Sequence, residues 1–141
     1  MDGPSLSKCV ERARHDAKAS GFRFTGIYHL LWVVKELFPV RFESFLESYG
    51  VDKVRFVKMM EVVLRPRRAG GGLPTDRQDA RMLESALAKA DEAAGEKQGA
   101  ASVEHLLSVL PSLEPDPVAR LCDRFDLEYR KPPPSEDQPV T

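Results

Sequence analysis

A chain of 141 residues, 42% apolar and 30% charged, has the length of one domain and can bury a real core without metals or disulfides. Its formal net charge of −1, from 21 basic and 22 acidic side chains, argues against a dedicated nucleic-acid binder, which carries a basic surplus or stripe. The two cysteines, Cys9 and Cys122, lie far apart inside apolar patterns, so they read as reduced buried thiols, joined only if the fold brings them together.

Helical spacing recurs along the chain. Leu6, Cys9, Val10, Ala13 and Ala17 share one helix face, and Gly21 ends that helix. Ile27, Leu30, Leu31 and Val34 form a second stripe, which Pro39 breaks while opening a third helix. There Phe42, Phe45, Leu46 and Tyr49 repeat the spacing before Gly50. A fourth run, from about Asp52 to Leu64, buries Phe56, Val57, Met60, Val63 and Leu64, with Asp52 as its cap. Arg65 to Pro74 is a break, with two prolines, three arginines and Gly70-Gly71-Gly72. Thr75 caps a fifth helix with Asp76 in its first turn, and its stripe is Leu83, Ala86, Leu87, Ala90 and Ala94. Gly95 and Gly99 bracket a turn. A sixth helix spans Val103 to Leu110, and Pro115 and Pro117 open a seventh with Val118, Leu121, Cys122 and Phe125. Beyond Tyr129 the composition turns proline-rich, and residues 131–141 read as a disordered tail or linker.

The opening Met1-Asp2-Gly3-Pro4 lacks the basic and apolar regions of a secretory signal. The longest apolar stretch, Ile27 to Phe38, includes His29, Lys35 and Glu36 and is too short and polar to span a bilayer. The expected location is cytoplasmic.

Self-comparison carries the strongest signal. The first and fifth stripes have identical internal spacing at an offset of 77. From Ile27 the offset is a steady 76, pairing Ile27 with Val103, His29-Leu30-Leu31 with His105-Leu106-Leu107, and Val34 with Leu110. It continues through Leu37 and Leu113, Pro39 and Pro115, Phe42 and Val118, Phe45 and Leu121, Leu46 and Cys122, and Tyr49 and Phe125. The expected fold is all-α: two tandem repeats of about four short helices related by pseudo-twofold symmetry, the second shortened. Repeat one covers about 5–64, the linker 65–74 and repeat two about 75–130.

With Ala13, Ala17 and Gly21 followed by Gly26-Ile27-Tyr28-His29-Leu30-Leu31, and with Ser102-Val103-Glu104-His105-Leu106-Leu107 in the second copy, the chain resembles the amino-terminal domain of Clp-type AAA+ chaperones and unfoldases, which holds two Clp-N repeats. Tyr49-Gly50-Val51-Asp52 and Leu73-Pro74-Thr75-Asp76-Arg77 also resemble family turns, and the likeness covers roughly residues 5 to 130. It implies a recruitment module that binds adaptor or substrate proteins for an AAA+ ATPase module, downstream or in trans, in chaperone or proteolysis work. It implies no cofactor, no metal and no catalysis by this chain, which has no Gly-x4-Gly-Lys-Ser/Thr loop. The family's Glu is Tyr28 in the first copy and survives as Glu104 in the second. Carboxylates there bind basic or phosphorylated-arginine peptides in some members, so that role is at most half present. Phe22-Arg23-Phe24 replaces the family's His-Asn-Tyr loop.

His29 and His105 read as structural, each bonded to a nearby group rather than to a metal. Phe22, Phe24, Tyr28 and Trp32 either pack between the repeats or form a partly exposed aromatic groove for apolar segments. Together with Glu104 they are the candidate partner contacts. Neither membrane nor nucleic acid is an expected partner. The alternative is a helical regulatory or nucleic-acid-associated protein using the basic segment from Arg65 to Arg81, where Arg67, Arg68 and Arg77 also lie.

Overall fold

Each apolar stripe folds as a helix. The computed structural model describes residues 6–66, 75–98, 101–114 and 116–130. The expected break at 67–74, Gly99, Pro115, the tail at 131–141 and the Thr75 and Asp76 side chains lie outside the described residues. The elements are α1 (Leu6–Ala19), α2 (Ile27–Leu37), α3 (Pro39–Glu47), α4 (Lys53–Val63), α5 (Thr75–Gln98), α6 (Val103–Val109), a 3-10 turn (Leu110–Ser112) and α7 (Pro117–Arg124). No strand occurs among the described residues.

Local chemistry sets the boundaries. Gly21, at φ 83°, takes the left-handed conformation that closes α1, and the Phe22 N–H then donates to the Ala17 carbonyl at 2.9 Å. The Asp52 carboxylate caps α4 by accepting from the Val54 and Arg55 N–H groups at 2.9 and 3.2 Å. Asp116 caps α7 in the same way, accepting from Val118 at 2.9 Å and Ala119 at 3.4 Å, with Pro117 pre-set for the first helical position. Gly95, at φ 71° and ψ 164°, interrupts α5 near its end.

The two histidines do the same job. At α2 the Gly26 N–H donates to His29 Nδ1 at 3.0 Å. At α6 the Ser102 N–H donates to His105 Nδ1 at 3.0 Å. Each ring stands three residues into its helix and satisfies a backbone donor that helix geometry leaves over, the place usually taken by Glu or Gln.

The core is built around α2. Ile27, Tyr28, His29, Leu30, Leu31, Val33 and Val34 are all buried, and α1, α3, α4 and α5 all pack against this helix. An apolar helix of this kind has no water-facing side to spare. Ala13 and Ala17 are the small buried residues of α1, which packs on α2. On α5, which packs on α6, Ala90 and Ala94 stand at the offset of 77 from them and are likewise buried, as is Ala86. Small residues at such positions let helix axes approach closely. Cys9 and Cys122 are buried free thiols. No helix is long and apolar enough to cross a membrane among the described residues.

Gly26 is fixed by a neighbour rather than by its dihedrals, since φ −109° and ψ 175° suit any residue. A Cβ there would sit 2.7 Å from Asp79 Cβ on α5 and 3.3 Å from the Asp79 carbonyl carbon. Gly26→Ala must therefore push α2 and α5 apart. It is expected to lower the unfolding free energy by about 1–3 kcal/mol, measured by urea denaturation. A loss under about 0.5 kcal/mol, the scatter of neutral surface changes, would remove this contact from the account of the packing.

Candidate functional site

The aromatic residues that the sequence groups together separate in the fold. Phe22 is buried, its ring edge-on to His29 with centroids 4.4 Å apart. Phe24 is half-buried, with the Arg77 guanidinium 5.6 Å from its ring centre. Tyr28 is 2% exposed, and its hydroxyl donates to the Pro117 carbonyl at 2.7 Å. These residues and His29 surround a void of about 10 Å³, at most the space for one water. Phe22 and Tyr28 thus face the interior, and this part of the expected groove is closed.

Trp32 behaves differently. Among residues 27–34 it is the one side chain of α2 that is not buried. It lines an open cleft of about 390 Å³ where the C-terminal ends of α1 and α4 approach the middle of α2. Asp16 and Ser20 line one side, Glu61, Leu64 and Arg65 the other. The Lys35 ammonium sits 3.9 Å above the indole ring, a cation–π contact that covers one face.

Glu104 lies in the first turn of α6 and is 62% exposed along its side chain. Its carboxylate accepts from Arg41 Nε on α3 at 3.0 Å, and it lines neither aromatic cavity. The described arginines of the basic segment also part company. Arg65 faces the Trp32 cleft, Arg77 covers Phe24, and Arg81 lines a separate cleft. Arg67 and Arg68 lie outside the described residues.

A buried polar set escaped the sequence reading. The Tyr49 hydroxyl at the end of α3 donates to Asp116 Oδ2 at 2.7 Å. Arg120 on α7 pairs with the buried Asp79 on α5 at 3.1 Å and donates to Gln78 at 2.5 Å. With the Tyr28 bond these contacts tie α7 to α2, α3 and α5. Only the Asp116-Pro117 step carried a local signal, an N-cap before a first-turn proline. Pairs such as Asp79 and Arg120 have no signature in spacing.

Burial raises the Tyr28 hydroxyl, with the Asp79 charge adding to it. Burial likewise raises Tyr49, followed by its bond to Asp116. The Cys122 thiol is pushed up to about 12, by burial first and then by Asp123 and Asp116. Among the described residues no group of three or more His, Cys, Asp or Glu is placed to hold a metal. No protein-family model, curated protein or solved structure matches this chain.

Two outcomes follow from these buried groups. Tyr49→Phe leaves Asp116 one donor short and is expected to cost about 1–3 kcal/mol, read by urea denaturation; a neutral substitution would mean the bond contributes nothing net. The folded state also holds the Tyr28, Tyr49 and Cys122 protons more tightly than the unfolded chain, whose ordinary values are 10.0 for tyrosine and 9.0 for cysteine. Their contribution is complete below the unfolded values and is lost as pH rises above them. The urea midpoint should stay flat up to about pH 9 and fall beyond it. A midpoint unchanged at pH 11 would contradict that assignment.

Proposed function

We propose that this chain is a protein-recognition module of the Clp amino-terminal type. In this reading two similar helical units pack about a pseudo-twofold axis, and the Trp32 cleft holds apolar segments of adaptor or substrate proteins for an AAA+ unfoldase. The doubled histidine cap carries the reading. At positions 76 apart, Gly26 and Ser102 adopt φ/ψ of −109°/175° and −109°/172°, and each donates its N–H to a histidine Nδ1 at 3.0 Å.

A second pair of turns supports the same register. Gly50 at φ 64° and Asp126 at φ 57° both enter the left-handed region. The next N–H closes each turn, Val51 to Leu46 at 3.3 Å and Leu127 to Cys122 at 2.9 Å. Asp is among the few side chains that tolerate this conformation. The second unit lacks a described counterpart of α4, and Phe125 is accordingly 36% exposed where Tyr49 is fully buried.

The Trp32 cleft suits a polypeptide better than nucleic acid. It combines an indole and Leu64 with charges of both signs, since Asp16, Glu61 and Arg65 all line it. A large aromatic left partly open in an otherwise buried helix has the composition of a binding hot spot. Glu104 plays a lesser part, because a basic peptide must first displace Arg41 from it.

Trp32 is the sole tryptophan of the chain, so its emission reports on this cleft alone. Titration with an unfolded protein that has no tryptophan of its own, reduced carboxymethylated ribonuclease A, is expected to blue-shift that emission. Trp32→Ala should weaken binding of the labelled probe about tenfold and leave the far-ultraviolet circular dichroism unchanged. Emission that stays constant while the probe binds would move recognition away from the cleft, and absence of binding would remove the substrate-holding role.

A further inference from the structure

The sequence register reveals a charge that the first half neutralises and the second does not. Arg12 on α1 pairs with Glu36 on α2 at 3.0 Å. The offset of 77 carries Arg12 to Lys89, and the offset of 76 carries Glu36 to Ser112. Lys89 and Ser112 both line an open cleft of about 680 Å³ between α5 and the chain around the 3-10 turn and α7. That volume lies inside the range of about 300–1,000 Å³ typical of ligand sites.

The lining has a definite chemical character. Arg81, Lys89 and Arg120 contribute cations, and Glu114 is the one acid among the described residues of the lining. Asp79 balances Arg120, which leaves Arg81 and Lys89 against Glu114 and gives a net positive cleft on a protein whose total charge is −1. Among the described residues Arg81 and Lys89 form no ion pair. Arg120 is held in place by Asp79, Gln78 and the Met82 sulfur, so the wall is rigid while the two outer cations stay free to engage. Met82 and Leu113, both nearly buried, supply an apolar floor.

We propose that this cleft docks an extended acidic peptide segment, its carboxylates meeting Arg81 and Lys89 and an apolar side chain resting on Met82 and Leu113. The positive lining selects against basic segments and speeds encounter with acidic ones. The apolar floor favours a peptide over a nucleic-acid strand, because among the described residues no aromatic ring lines the cleft to stack a base and Glu114 repels a phosphate track. This surface shares no residue with the Trp32 cleft, so the two readings stand or fall separately.

The probe is a fluorescein-labelled, glutamate-rich nonapeptide with a central leucine, titrated into the full chain and followed by anisotropy. Saturable binding is expected, weakened about tenfold or more by the exposed double reversal R81E/K89E and unaffected by Trp32→Ala. In the methyl spectrum Met82 should shift on titration while Met59 and Met60, buried in the first half, stay fixed. The proposal is overturned by absence of saturable binding, by a double variant that binds within twofold of the parent, or by a stationary Met82 methyl. It is also overturned if a single-stranded oligonucleotide binds more tightly than the peptide and is released by the same double variant, since the cleft would then be a phosphate surface.

Discussion

The burial of α2 is the constraint on which the rest of the structure depends. Seven of its first eight residues are buried, so every polar group they carry needs a partner inside the protein. The Tyr28 hydroxyl finds the Pro117 carbonyl, and His29 Nδ1 accepts the Gly26 N–H. Those two bonds fix more than α2. The first sets the start of α7 against the centre of the molecule, and the second fixes the strand-like approach into α2. Asp79 then leaves no room for a side chain at position 26. The packing of α5 on α2, the placement of α7 and the choice of glycine thus follow from a helix whose first two turns are nearly all buried.

The polar bonds around α7 explain how a short helix stays attached. Its eight residues, Pro117–Arg124, are too few to be stable alone. Val118, Leu121 and Cys122 provide the buried face. Asp116, Tyr49, Asp79 and Arg120 add directional bonds that specify one orientation. A partly buried ion pair such as Asp79–Arg120, with Asp79 buried and Arg120 partly exposed, contributes little net stability over an apolar pair. Breaking one partner, however, strands the other, so the set favours a single arrangement over near alternatives.

Much of this was legible in the sequence, and the part that was not has a physical cause. Apolar spacing located every helix among the described residues because a buried face must recur with helical period. Gly21, Gly50 and Asp52 marked boundaries through backbone conformation and capping, which are local properties. Spacing does not say which neighbour covers a face. Leu37 and Leu113 hold equivalent register positions, yet Leu37 is 44% exposed and Leu113 3%. Tyr28 and Trp32, one helical turn apart, likewise differ because α7 covers the first and an open cleft meets the second. The Tyr49–Asp116 and Asp79–Arg120 pairs are set by tertiary approach and leave no periodic trace.

The same distinction bears on recognition. The first two turns of α2 are covered on nearly every side, and the opening occurs where the ends of α1 and α4 leave Trp32 partly uncovered. The opening there is set by helix length, since α1 ends at Ala19 and α4 at Val63. Its chemistry is set by the residues at those ends, Asp16 and Ser20 from one and Glu61 and Leu64 from the other. The larger cleft on α5 differs in its charge, with Arg81, Lys89 and Arg120 lining it and Glu114 the one acid among the described residues of the lining. Ala13 and Ala90, Ile27 and Val103, and Leu30 and Leu106 are all buried, whereas Leu31 and Tyr49 are buried and Leu107 and Phe125, at the same offset, are not.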